Sequence, residues 1–202
     1  MRVVRRAQAE GPVELTPHLQ TFFTEVASGR VEVYNEFSLQ HELGIHLRAI
    51  FATAFKIQFE RNVSCFPSPY TPQLKKEIDI CAFRPDKAER YAIELKFPMN
   101  GQYPEQMFSA CKDIAFLEEL VRSGFRMGWF VILADDRLFY EGQDHTGIYA
   151  FFRASEVLTG TVQKPTGNRD QLLNLTGRYV LKWNPLRGVS KWAFVEVPPG
   201  PA

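Results

Sequence analysis

Two carboxylates and an ammonium, those of Asp79, Glu94 and Lys96, stand in stretches whose pattern aims them at one point. Asp79 belongs to Glu77-Ile78-Asp79-Ile80, and the other two belong to Ile93-Glu94-Leu95-Lys96-Phe97. Both stretches alternate charged and apolar residues with a period of two, as a β-strand with two unlike faces does. Glu94 and Lys96 are two residues apart and project to the same side. Between the stretches, Arg84-Pro85-Asp86-Lys87-Ala88-Glu89-Arg90 carries a Pro-Asp turn signal, so residues 77–97 read as a β-hairpin. Pairing its strands sets Asp79 beside Glu94. Carboxylates that close disfavour each other's ionisation. A hard divalent cation removes the conflict, because Mg²⁺ takes oxygen ligands, often one or two carboxylates. The pattern is that of metal-assisted hydrolysis, with Asp79, Glu94 and the Leu95 carbonyl as ligands. Mg²⁺ is the expected cofactor, and Mn²⁺ can substitute for it.

Ile78-Asp79 followed by Glu94-Leu95-Lys96 resembles the core motif of the PD-(D/E)xK nuclease superfamily, the restriction-endonuclease-like fold. Ile78 stands where the family's name has proline, a loosely held position. The resemblance implies hydrolysis of phosphodiester bonds in nucleic acid, with DNA as the expected partner. Lys96 would then orient or deprotonate a water, or stabilise charge on the phosphoryl oxygens. A lowered pKa near the metal would suit it as a base. The resemblance also implies an acid on a helix ahead of the sheet. Glu42 and Glu36 compete for that place, and Glu42, at the edge of an apolar stripe, is favoured. On the helix after the Glu-x-Lys strand it implies a glutamine or lysine at the substrate, which points to Gln106 and Lys112. Asp113 is a further polar candidate there. Gln106 reads equally well as a helix surface residue, and Ala110 stands where one branch of the family has tyrosine. The other reading is a nuclease-fold binding subunit of a defence or mobile-element complex that no longer cuts.

The elements that must position these groups are legible in order. Residues 1–16 read as a flexible arm carrying Arg2, Arg5 and Arg6. A short helix begins near Pro17 and closes at Gly29. Ser38 suits the N-cap of a helix from Leu39 to about Phe55, with Leu39, Leu43, Leu47, Ile50 and Phe51 on one face. Its His41 and His46 are five apart, which turns them away from each other and from the zinc-protease pattern. Lys56–Val63 reads as a strand, and the proline-rich stretch from Cys65 to Pro72 as a loop. After the hairpin, Pro104 opens a helix that Gly124 ends. Met127–Ala134 is a continuous apolar run, as a strand buried on both faces requires. Leu138–Tyr140, Ile148–Phe152, Tyr179–Trp183 and Trp192–Val197 read as further strands, the last at the sheet edge, and 159–170 as a connection.

The fold class is therefore α/β. A restriction-endonuclease-like core of order α-β-β-β-α-β spans about 36–135, with a mixed β-sheet flanked by helices and extra C-terminal strands over 136–202. A length of 202 residues suits one such domain. The net charge of +1 means that any nucleic-acid surface is local rather than global. Three scattered cysteines with no C-x-x-C pair indicate neither a disulfide framework nor a zinc site. No phosphate-loop, nucleophile-elbow or dinucleotide glycine pattern occurs. The N-terminal stretch lacks an apolar run and no segment is long enough to span a membrane, so the expectation is a cytoplasmic protein with no membrane partner. No helix-turn-helix, zinc-finger or RNA-binding signature supplies a substrate reader, which points to a homodimer or a partner subunit.

Overall fold

A computed structural model describes residues 13–99, 101–167 and 170–200. Six strands form one mixed sheet, and two more form a separate hairpin. Helices α1 (Thr16–Ser28) and α2 (Glu36–Phe51) precede β1 (Lys56–Asn62), β2 (Glu77–Phe83) and β3 (Arg90–Lys96). Helix α3 (Tyr103–Arg122) carries the chain across to β4 (Met127–Ala134), which runs parallel to β3. The remaining elements are α4 (Ile148–Ala154), the hairpin β5 (Leu158–Gln163) and β6 (Leu172–Tyr179), and the strands β7 (Asn184–Pro185) and β8 (Lys191–Val197). No helix among the described residues is long and apolar enough to cross a membrane.

The sheet separates two apolar cores. On one face α1 and α2 bring Phe22, Phe23, Leu39 and Leu43 against Ile80, Ile93, Leu95, Trp129 and Val131. On the other, α3 brings Met107, Phe108, Cys111 and Ile114 against Cys81, Ala92, Phe130 and Ile132, and α4 and the β5–β6 hairpin join that core. Strands β3 and β4 are buried on both faces, which explains the unbroken apolar run of β4. Helix α2 lies close on β1 because residue 44 is glycine. A Cβ there would stand 2.2 Å from the Phe59 ring.

Several elements depart from the sequence expectation. Helix α2 begins at Glu36, three residues before Leu39, and ends at Phe51. Asn35 is the cap; its side chain accepts from the Ser38 N–H while the Ser38 hydroxyl accepts from the Asn35 N–H, a reciprocal box. The segment from Ile148 is helix rather than strand. Ile148, Phe151 and Phe152 fall on one helical face, and a strand would turn the adjacent phenylalanines apart. Arg137–Phe139 is a 3₁₀ turn, and the strand expected at Tyr179–Trp183 ends at Tyr179 as β6. The stretch read as a connection contains β5. Strand β8 pairs along its length with β4; on its other side the two-residue β7 covers only Lys191 and Trp192, so from Ala193 on it forms the sheet edge that the sequence predicts. Ala193, Val195 and Val197 alternate into one core, and Trp192 enters the other. Of the expected N-terminal arm, residues 1–12 lie outside the described residues. Those that follow are anchored, with Leu15 buried and the Val13 N–H donating to the Tyr91 hydroxyl at 3.0 Å.

Candidate active site

Strands β2 and β3 pair antiparallel from Phe83 opposite Arg90 to Ile80 opposite Ile93. One step further, where Asp79 meets Glu94, side chains take over the backbone donors. The Leu95 N–H donates to Asp79 Oδ2 at 2.7 Å, and the Asp79 N–H donates to Glu94 Oε1 at 3.2 Å. Each carboxylate is thereby fixed by a charge-assisted bond to the neighbouring strand.

Two lysines and a third acid complete the cluster. Lys75 Nζ bonds Glu94 Oε2 and lies 3.3 Å from Asp113 Oδ1 and 3.5 Å from Asp79 Oδ1. Lys96 Nζ lies 3.1 Å from Asp113 Oδ2 and 3.9 Å from Glu36 Oε2. Asp113, in the middle of α3, thus holds one ammonium with each oxygen. Glu36 also accepts the Phe97 N–H at 2.8 Å, which ties the start of α2 to the end of β3. Lys75 is positioned by its loop. The backbone N–H groups of Gln73 and Leu74 donate to Glu119 Oε2 at 2.9 and 3.0 Å, so α3 supports this side of the site too.

The Glu94 side chain is fully buried and that of Asp113 is 4% exposed, so neither charge is tolerable without its partners. Burial pushes the Glu94 carboxyl well above its ordinary pKa, and the neighbouring Asp79 charge adds to the effect. Asp79 is raised to about 6 by burial, against the opposing pull of Lys75 and the Leu95 N–H. Burial acts against both ammoniums, but the carboxylates outweigh it. Lys75 is held above its ordinary value by Glu94, Asp113 and Asp79, and Lys96 by Asp113 and Glu36. For Lys96 this is opposite to the direction a lysine base requires. The arrangement fits an electrostatic role for that side chain.

On the α2 side, Glu36, Phe37, Gln40, Glu60, Asp79 and Leu95 line a cavity of about 40 Å³. Gln40 Nε2 donates to Glu60 Oε1 at 2.5 Å and to the Asp79 carbonyl at 2.7 Å. Glu60 has φ +46°, a backbone conformation that an L residue adopts at a cost. Larger clefts lie away from the acidic cluster, among them one of about 520 Å³ between α4 and β5 and one of about 720 Å³ beside Phe97 and Leu133. Neither gathers facing acids and ammoniums as the cluster does.

Asp79, Glu94 and Lys96 are brought together as the strand pattern requires, with the Leu95 backbone between them. Glu42 is not brought to them. It lies beside His41, 3.2 Å from its Nδ1, and the acid of α2 at the cluster is Glu36. The start of α2 at Glu36 explains this: Glu36 and Gln40 are one turn apart on the face toward the sheet, and Glu42 is rotated away. Gln106 and Lys112 form no hydrogen bond or ion pair with the cluster among the described residues. Asp113 is the α3 residue that does. Lys75 has no periodic signal because it precedes β2. Its nearest sequence cue is a lysine four residues ahead of Asp79, which in an extended chain does not predict contact. Cys81 and Cys111 are buried, and burial pushes both thiols up, away from nucleophilic use.

Among the described residues no three His, Cys, Asp or Glu side chains are arranged as a ready metal cage. The donor chemistry nonetheless fits a hard cation. Asp79, Glu94 and the Leu95 carbonyl are all oxygen donors, and the two crowded carboxylates already gather a cation, the Lys75 ammonium. No protein-family model, curated protein or solved structure matches the chain.

Proposed function

We propose that the protein is a Mg²⁺-dependent nuclease with a restriction-endonuclease-like core, hydrolysing phosphodiester bonds of nucleic acid, with DNA as the expected substrate. One observation carries the reading: Asp79, Glu94 and Lys96 converge across β2 and β3 in a chain whose elements run α2-β1-β2-β3-α3-β4, the order that the resemblance implies. Mg²⁺ bound by Asp79, Glu94 and the Leu95 carbonyl would supply charge neutralisation and a water of lowered pKa. Lys96, held protonated, faces the same point and would stabilise negative charge on the phosphoryl oxygens. Asp113 is a positioning residue, because it fixes both ammoniums from the middle of α3 and is itself 4% exposed. Glu36, at the rim, is placed to orient a water or a second cation.

The test is cleavage of plasmid, single-stranded DNA and RNA with and without Mg²⁺ or Mn²⁺. Asp79→Ala and Lys96→Met should each lower metal-dependent cleavage by at least about a hundredfold. Wild-type rates in either variant would sink the assignment. A second reading, a nuclease-fold binding subunit that does not cut, is favoured by Lys75, whose ammonium already satisfies the carboxylates. Nucleic-acid binding with no divalent-dependent cleavage of any of the three substrates would select it.

A further inference from the structure

We infer that the Lys75 ammonium and a divalent cation are alternative occupants of the Asp79–Glu94 pocket, so that metal entry turns the Lys75 side chain out of it. The inference rests on the metal reading above and names how that site is kept in its metal-free state. Lys75 Nζ touches the carboxylates of both residues that would hold the cation, Asp79 and Glu94. Charge argues for exchange rather than coexistence. Leaving aside Glu36 at the rim, the carboxylates of Asp79, Glu94 and Asp113, when all three are ionised, face two ammoniums, which leaves one negative charge uncompensated. A divalent ion in place of Lys75 balances the cluster.

The scaffold permits the movement. Lys75 stands in the loop ahead of β2, and its side chain is 31% exposed, against 13% for Lys96. It has a path to solvent along four flexible methylenes. Its backbone stays anchored on both sides. Glu119 holds the Gln73 and Leu74 N–H groups, and the Lys76 carbonyl accepts the Val63 N–H at 2.8 Å. Only the side chain need swing. An ammonium turned out beside a neutral metal cluster faces the cleft as a positive charge, suited to an incoming phosphate.

The test is calorimetric titration of wild type and Lys75→Met with Mn²⁺, with Asp79→Asn as the non-binding control. Lys75→Met should bind Mn²⁺ at least about tenfold more tightly, equivalent to about 1.4 kcal/mol for removing the internal competitor. A second measurement uses the wild type alone. Amine-reactive labelling read by mass spectrometry should rise several-fold at Lys75 on adding Mn²⁺, relative to exposed Lys76. Equal or weaker Mn²⁺ binding by Lys75→Met, or unchanged Lys75 labelling in Mn²⁺-bound protein, overturns the exchange and leaves the metal site standing. No Mn²⁺ binding by either protein overturns the metal reading together with the exchange.

Discussion

Asp79 should make the metal-free protein less stable at neutral pH than at mildly acidic pH, the reverse of ordinary acid denaturation. Its carboxyl is raised from an ordinary value near 3.8 to about 6, chiefly by burial. The native state therefore holds this proton more tightly than the unfolded chain. Between about pH 4 and about pH 6 it binds more protons than the unfolded state, so stability falls as pH rises through that window and levels off above it. At about 1.36 kcal/mol per pH unit, the full effect is roughly 3 kcal/mol. The Asp79 side chain is only 17% exposed, so solvent removes little of this. Glu94, raised by burial and by Asp79, acts in the same direction. The raised lysines do not blur the window, because their stabilisation is fully present below about pH 10. Asp79→Asn keeps an acceptor for the Leu95 N–H and removes the charge. In EDTA at pH 7.5 it should raise Tm by about 6–12 °C, since about 2–4 °C accompanies each kcal/mol at this chain length. The gain should shrink toward zero at pH 4. Thermal melts of both proteins across this range make the measurement. A variant that melts at or below wild type at pH 7.5, or a difference independent of pH, refutes the argument.

Two further outcomes follow from the geometry. Glu36→Gln should lower metal-dependent cleavage about tenfold or more, whereas Glu42→Gln should leave it within about twofold, because of these two acids it is Glu36 that reaches Lys96 and the Phe97 N–H; equal effects in a side-by-side cleavage assay would contradict this placement. Glu118→Ala should cost about 3 kcal/mol in urea unfolding, because the backbone N–H groups of Thr176 and Gly177 and the Tyr179 hydroxyl all donate to that buried carboxylate; a loss below about 1 kcal/mol would show that the β5–β6 hairpin is held by its apolar contacts instead.

Period-two alternation puts Glu94 and Lys96 on one side of β3, and the hairpin reading brings Asp79 beside Glu94, although Ile78 and Ile80 on either side of Asp79 enter opposite cores. The unbroken apolar run of β4 is legible for a similar reason, since that strand is buried on both faces. The helix acid is not legible in the same way, because two good capping residues lie three apart. Ser38 reads as a cap, yet its hydroxyl serves as the return partner of Asn35, and that shift moves the facing acid from Glu42 to Glu36. Lys75 leaves no trace in spacing, because its place depends on a loop held by Glu119 on a helix more than forty residues away. The C-terminal elements depart from expectation where aromatic runs suit either a helix or a strand. At Phe151–Phe152 the neighbouring core decides, not the local pattern.

The bond from the Leu95 N–H to Asp79, with the Leu95 carbonyl proposed as a ligand beside it, places part of the site's geometry in atoms that every residue except proline shares. Such a contribution has no letter in the sequence. An alanine scan passes over it, because replacing Leu95 leaves both groups in place. The core beneath position 95, and not this bond, decides which side chain fits there. A site built this way can keep its shape while its spelling drifts, with Asp79, Glu94 and Lys96 as its few visible letters. Probing the hidden part calls for an ester in place of the amide at position 95, which deletes the donor while every side chain stays as it is.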